Sequence, residues 1–220
     1  RLSLVGSEMC IRDSRMGEEY LFQTAAQENL DNFAQYSFKR ILTACPHCFN
    51  TLAREYPAFE GFNYSVISHT VWLNEMIQSG KLPRPSATLG STAYHDPCYL
   101  ARMNGIVDAP RNVLKSVSGD LRLPAETGTR TFCCGAGGGQ MWSEGNVAKT
   151  VNVIRLKDLR ATGASQVAVA CPHCLTMLES AKSLDKSASE TAIKDVAELV
   201  LEALESQSLL NDKTEEVAHG

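Results

Sequence analysis

The sequence predicts an α/β fold: two tandem repeats of a βα unit with short, mainly parallel sheets, the first repeat truncated. Three observations lead there. A shift of 126 residues superimposes Ala44-Cys45-Pro46-His47-Cys48 on Ala170-Cys171-Pro172-His173-Cys174 without a gap, as expected of a duplicated supersecondary unit. The match extends outward, placing Leu30 on Leu156, Phe33 on Leu159, Leu52 on Leu178, Ile67 on Ile193 and Leu73 on Leu199. Short β-rich runs also alternate with segments of helical spacing, the pattern of βαβ units around a parallel sheet.

The first fourteen residues, RLSLVGSEMCIRDS, have neither helical nor strand period and look like translated adapter or vector sequence. Residues 1–14 are therefore expected to be non-native, with Cys10 incidental. The repeat offset asks for counterparts of Cys133 and Cys134 at positions 7 and 8, which hold Ser7 and Glu8. Residues 15–85 then read as the rear part of a first repeat whose front lies in an upstream extension, closing in the linker Gly80-Lys-Leu-Pro-Arg-Pro-Ser86.

Residues 86–206 read as the complete second copy. Asp108-Ala-Pro110-Arg111 looks like a helix start with Asp108 as N-cap. Val147, Val151 and Ile154 mark one face of a helix ending near Thr162-Gly163. Gln166-Val-Ala-Val-Ala170 suits a buried strand ending at the cysteines. Pro172 then opens a helix, where its missing N–H costs nothing, and Leu175, Leu178 and Ala181 continue at helical spacing. Val196, Leu199, Val200, Ala203 and Leu204 mark a last helix, and residues 207–220 read as a polar, frayed tail.

At 220 residues, 44% hydrophobic and 21% charged, the composition is that of a globular protein and excludes wholesale disorder. Twenty-one basic against 25 acidic residues leave a net charge of −4, which argues against a phosphate-backbone binder. Nucleic acid is not an expected partner. No apolar run approaches the roughly 20 residues that span a bilayer, and a signal-peptide pattern is missing. The expected location is cytoplasmic, with the cytoplasmic face of a membrane as the alternative.

The second copy carries five cysteines: Cys98, the adjacent Cys133 and Cys134 after 34 residues, then Cys171 and Cys174 after 36 more. Thiolates are soft ligands for zinc and iron–sulfur clusters. A structural zinc site closes at four, so the fifth cysteine and the diverging Cys-Cys pair suit a cluster of several irons. The run Gly135-Ala-Gly137-Gly-Gly139 could wrap such a cluster and aim N–H groups at its sulfurs; its rival reading is a flexible turn. A second alternative is thiol–disulfide chemistry, because a strand leading into CPHC at a helix start is the setting that activates a dithiol. That rival leaves Cys98 and the Cys133-Cys134-Gly135 run unexplained.

This constellation, with the stretches HDPCYLAR, DAPRNVL and FCCGAGGGQMW, resembles the cysteine-rich CCG domain of the B and D chains of heterodisulfide reductase and of related iron–sulfur oxidoreductases. It looks closest to the larger iron–sulfur reductases fed by electron-transfer flavoprotein. The resemblance implies that Cys98, Cys133, Cys134, Cys171 and Cys174, with Gly135 and Gly137 in the binding loop, hold one non-cubane 4Fe-4S cluster. It implies an electron-transfer role between a flavoprotein, or another iron–sulfur subunit, and a quinone or disulfide acceptor. Membrane contact would come only through the upstream region or a partner. Cys45 and Cys48 are secondary candidates, two of the five that a first-copy site would need.

The other candidates have plain structural readings. His47 and His173 could tune a thiolate but suit water-facing helix starts. Asp96, after His95, suits a cap or turn. Met141 and Trp142 could shield a cluster or pack a helix face. Arg102 and Arg111 could face its negative charge, with solvated surface as the default. Replacing Cys133 or Cys134 by Ser is expected to lower bound iron, whereas Cys10→Ser should leave it unchanged; iron analysis of the three purified variants checks this.

Overall fold

The computed structural model describes residues 17–85, 89–142 and 146–218. The 1–14 segment, with Cys10, lies outside the described residues, as do Ser86 and the last two residues of the tail. The chain divides into two compact units, residues 1–68 and 69–220.

In the first unit α1 (Glu19–Ala34) is followed by β1 (Arg40–Thr43), α2 (Pro46–Asn50), which runs on into a π-helical turn at Thr51–Glu55, and β2 (Ser65–Ser68). β1 and β2 pair in parallel, Ile41 opposite Val66. The core is aromatic: Phe22, Ala26, Leu30 and Phe33 of α1 bury against Leu52 and Tyr56. Phe38 stacks on Tyr64 with ring centroids 4.5 Å apart, and Asn29 donates from Nδ2 to Tyr56 Oη at 2.9 Å. Edge and stacked ring pairs of this kind add to simple area burial.

The second unit contains α3 (His69–Gln78), β3 (Ser91–His95), α4 (Asp108–Val117), β4 (Asp120–Arg122), α5 (Asn146–Ala161), β5 (Gln166–Val169), α6 (Pro172–Leu184), β6 (Ala192–Asp195) and α7 (Val196–Ala218). Its sheet is wholly parallel in the order β4-β3-β5-β6. Successive strand residues face opposite sides. Ala93, Val167, Val169 and Ile193 meet Leu156 and Leu159 of α5 and Met177, Leu178 and Ala181 of α6. Tyr94, Ala168 and Ala170 turn the other way, onto Leu73 of α3, Val113, Leu114 and Val117 of α4, and Leu199, Val200 and Ala203 of α7. The unit is a three-layer α/β sandwich, as the alternation of elements predicts.

β1 and β5, and Pro46 and Pro172 at the starts of α2 and α6, keep the offset of 126 residues. It then slips by one. Ile41 pairs with Val66 while Val167 pairs with Ile193, so the strand partner equivalent to Ile193 is Val66 rather than Ile67.

Three further expectations change. α5 buries Asn152, Arg155, Leu156 and Leu159 and leaves Ile154 43% exposed, so the helix turns a more polar face inward than Val147, Val151 and Ile154 suggest. Asp108 is the first residue of α4 rather than its cap; Val107 occupies the cap position and no side chain caps the helix. The last helix runs to Ala218, so the polar residues 207–218 continue it instead of fraying from it.

Leu114 is fully buried, on the sheet face opposite the one that carries Cys171 and Cys174. Leu114→Ala is expected to destabilise the unit by about 2–5 kcal/mol, read as a lower urea midpoint with an unchanged slope.

Candidate metal centre

Strand order brings Cys98 and Cys171 together. Between β3 and β5 the connections diverge, β3 leading outward to β4 and β5 outward to β6. The carboxyl ends of strands at such a switch point leave a crevice that neither crossover covers. Cys98 follows β3 by three residues and Cys171 follows β5 by two, with His95 paired to Val169 across the strands. α6 begins at Pro172, next to Cys171 in extended conformation, and its first turn brings Cys174 back beside Cys171.

Cys133 and Cys134 arrive on the long segment between β4 and α5, and a polar clamp holds that segment in place. Asp96, 1% exposed, accepts at Oδ2 from Arg111 Nη2 (2.9 Å), Thr127 Oγ1 (2.6 Å) and the Gly128 amide (2.9 Å). Thr131 Oγ1 donates to the Asp96 carbonyl at 2.9 Å. Arg102 donates to the carbonyls of Thr129 and Thr131, at 3.0 and 2.7 Å. Asp96 is thus more than a turn residue, and Arg102 and Arg111 brace the loop instead of facing the sulfurs.

None of the five cysteines of the second unit is in a disulfide, and their thiols form one hydrogen-bonded group. Cys133 is its acceptor. Hydrogen bonds from Cys134 first, then Cys98, and from the Gly135 and Gly137 amides hold its thiol well below the ordinary range; the Gly135 N–H···Sγ distance is 3.2 Å. Bonding to Cys133 pushes Cys134 up to about 12, against an opposing bond from Cys174 and with burial adding to the rise. The bond to Cys133, then burial, drives Cys98 far up. Bonds to Cys134 and then Cys171, with burial, raise Cys174. Negative charge is therefore favoured at Cys133 and disfavoured at Cys98, Cys134 and Cys174, because adjacent thiolates repel one another in a poorly solvated site.

The glycine loop turns through left-handed backbone. Gly135 and Gly138 have φ of +93° and +64°, which side-chain-bearing residues rarely adopt. Met141 packs against the core that includes Cys134, Cys171 and Cys174; the Trp142 side chain lies outside the described residues. Dithiol chemistry is poorly served here, since Cys171 is fully buried and Cys174 is raised, the reverse of an exposed, acidified nucleophile. A cleft of about 320 Å³ beside Arg160, Ser165, Ser187 and Thr191 lies by the amino ends of β5 and β6, away from the thiols.

Two polar residues at the sulfurs escape a cysteine count. His95, 1% exposed, brings a ring nitrogen and the sulfurs of Cys134 and Cys174 within 4.8 Å of one another. Burial first, then the charge of Arg155, lowers its pKa to about 3, so the ring is neutral. Arg155 is fully buried and donates from Nε to His95 Nδ1 at 3.0 Å. A buried cation beside a strand-end histidine has no periodic or motif signal; only the inward polar face of α5 reveals it.

In the first unit Cys48 is buried and Cys45 half-buried, with Cys45 Sγ 3.8 Å from His47 Nδ1. Both histidines of the CPHC motifs, His47 and His173, are half-buried rather than water-facing.

The family model for the cysteine-rich domain, CCG, matches residues 11–53 and 92–179, beginning inside the segment set apart as adapter-like. The chain is 39% identical over 208 residues to the EtfAB:quinone oxidoreductase of Syntrophomonas wolfei, covering 90% of this chain and 29% of that one. It is 38% identical over 192 residues to the "Probable iron-sulfur-binding oxidoreductase FadF" of Bacillus subtilis, covering 86% and 27%. It is 31% identical over 198 residues to one chain of the dihydromethanophenazine:CoB–CoM heterodisulfide reductase of Methanosarcina barkeri, covering 88% and 48%. The chain thus spans less than a third of the first two relatives and about half of the third. No helix among the described residues is long and apolar enough to cross a membrane.

Asp96→Ala removes the acceptor for Arg111, Thr127 and the Gly128 amide together. The expected cost is about 3–5 kcal/mol, as for breaking a buried ion pair from one side, measured by urea unfolding, with faster amide exchange at Gly128 than at the strand amides.

Proposed function

Because the chain belongs to the cysteine-rich CCG domain family, we propose that it is the iron–sulfur electron-transfer part of an oxidoreductase. In this reading Cys98, Cys133, Cys134, Cys171 and Cys174 hold one non-cubane 4Fe-4S cluster. The observation that carries it is the convergence of five thiols, none in a disulfide, in one hydrogen-bonded group beside the strand ends. Four would complete a zinc site; five soft donors, mutually repelling once ionised, fit a polynuclear iron centre. When bound, such a cluster supplies a one-electron redox change whose potential its surroundings set.

The protein's own part is to shape that setting. Gly135 and Gly137 aim N–H groups at Cys133, and hydrogen bonds to sulfur favour the more negative, reduced state. Burial of Cys134, Cys171 and Cys174 keeps water from one side. Cys98 and Cys133 are only half-buried, which leaves a route for electrons on that side. Donor and acceptor follow by analogy with the relatives' names: a flavoprotein of the electron-transfer-flavoprotein type, or another iron–sulfur subunit, on one side, and a quinone or a disulfide on the other. Cys45 and Cys48 supply two ligands of a second site only together with sequence outside this chain.

Purified without oxygen, the chain is expected to carry about four irons and matching acid-labile sulfide, with broad absorbance near 400 nm. That absorbance should bleach on addition of reduced electron-transfer flavoprotein. A colourless chain that takes up no iron after anaerobic reconstitution overturns the reading.

A further inference from the structure

Arg155 is an unusual residue to find where it is. Its guanidinium is fully buried, and all three of its hydrogen bonds go to uncharged acceptors: Nε to His95 Nδ1 at 3.0 Å, Nη1 to the Glu126 carbonyl at 3.2 Å and Nη2 to Thr131 Oγ1 at 3.4 Å. Among the described residues it forms no ion pair. A guanidinium withdrawn from water is costly unless negative charge nearby offsets it. The charges that act on it are the carboxylates of Asp158 and then Asp96, followed by the sulfur of Cys174, which lies on the far side of His95.

His95 determines how that charge is felt. Arg155 always donates, so Nδ1 must accept. A neutral imidazole has one N–H, and with Nδ1 accepting, that N–H sits on Nε2. Nε2 is buried and has no hydrogen-bond partner in the protein. A nitrogen that carries its proton has no lone pair for a metal, so the triad of His95, Cys134 and Cys174 is not a ligand set that includes the histidine. It is two sulfurs and a donor.

We propose that Arg155 and His95 together set the reduction potential of the sulfur site. Arg155 holds His95 in its Nε2–H tautomer, and His95 presents that N–H to sulfur at Cys134 and Cys174. The inference rests on the cluster reading and adds to it two residues outside the cysteine pattern. His95 stands within 4.8 Å of two of the sulfurs; Arg155 is a positioning residue acting through it, and its buried positive charge also favours the reduced, more negative state. The pair reinforces the Gly135 and Gly137 amides, which act on the neighbouring sulfur of Cys133.

The first test needs no cluster. In the metal-free chain labelled with ¹⁵N-histidine, the ring signals of His95 at neutral pH should be those of protonated Nε2 and bare Nδ1, and Arg155→Met should abolish that fixed tautomer. An Nδ1–H tautomer or an imidazolium in the unmodified chain overturns the proposal. The second test is potentiometric, monitored by EPR, on iron-loaded chain. His95→Phe should lower the reduction equilibrium constant at least tenfold, about 59 mV for one electron, Arg155→Met should lower it too, and His95→Gln, which keeps an N–H donor, should recover most of the loss. Unchanged potentials in loaded His95→Phe and Arg155→Met overturn the proposal while leaving the cluster reading intact. If His95→Phe sheds its iron, pulsed EPR of the unmodified loaded chain decides. A weak ¹⁵N coupling with an exchangeable proton supports the proposal; coupling of directly bound strength, or none, defeats it. A chain that never takes up iron defeats the cluster reading itself, and the potential-setting role with it.

Discussion

The parallel pairing of β3 with β5 is the constraint on which the site depends. Putting His95 opposite Val169 brings the segments after both strands to one end of the sheet, so Cys98 and Cys171 emerge side by side. Parallel strands need crossovers, and here the two crossovers leave in opposite directions. The crevice between them is the place where sulfurs from distant parts of the chain can meet without displacing a helix. α6 then adds Cys174 within one turn, because Pro172 starts the helix immediately after Cys171.

Cys133 and Cys134 have no strand to aim them, and electrostatics takes over that task. One buried carboxylate, Asp96, gathers Arg111, Thr127 and the Gly128 amide, while Arg102 ties down the next carbonyls. The loop thus reaches the sulfurs already ordered, and its glycines turn their amides toward Cys133. The same region supplies the charge balance. Around Cys133, whose thiol is lowered, the thiols of Cys98, Cys134 and Cys174 resist ionisation, and the surrounding donors favour negative charge on sulfur. N–H groups of the glycine loop stand at Cys133, and His95, backed by the buried Arg155, at Cys134 and Cys174.

Much of this architecture is legible from residue spacing. The duplicated CPHC run locates β1 and β5 and the helices that follow them, because a strand-to-helix junction with proline at the first helical position is a local feature. The buried pairs Leu30 and Leu156, Phe33 and Leu159, and Leu52 and Leu178 all fall in cores. The one-residue slip before β6 is invisible in the sequence, since hydrophobic matching tolerates Ile67 or Val66 equally and only the ladder distinguishes them. The buried face of α5 is hidden for a related reason. Apolar spacing picks Val151 and Ile154, whereas the helix turns Asn152 and Arg155 inward to satisfy polar groups beyond its own segment.

By itself the sequence determined the kind of chemistry: five cysteines, two of them adjacent, before a glycine run are a matter of residue identity and local backbone freedom. It also determined the α/β class, because alternating periods are local. Only the tertiary structure decided that the five thiols form a single group, that Asp96 is a buried clamp, and that Arg155 stands behind His95. Those relations join residues tens of positions apart through hydrogen bonds and desolvation, and neither leaves a periodic trace along the chain.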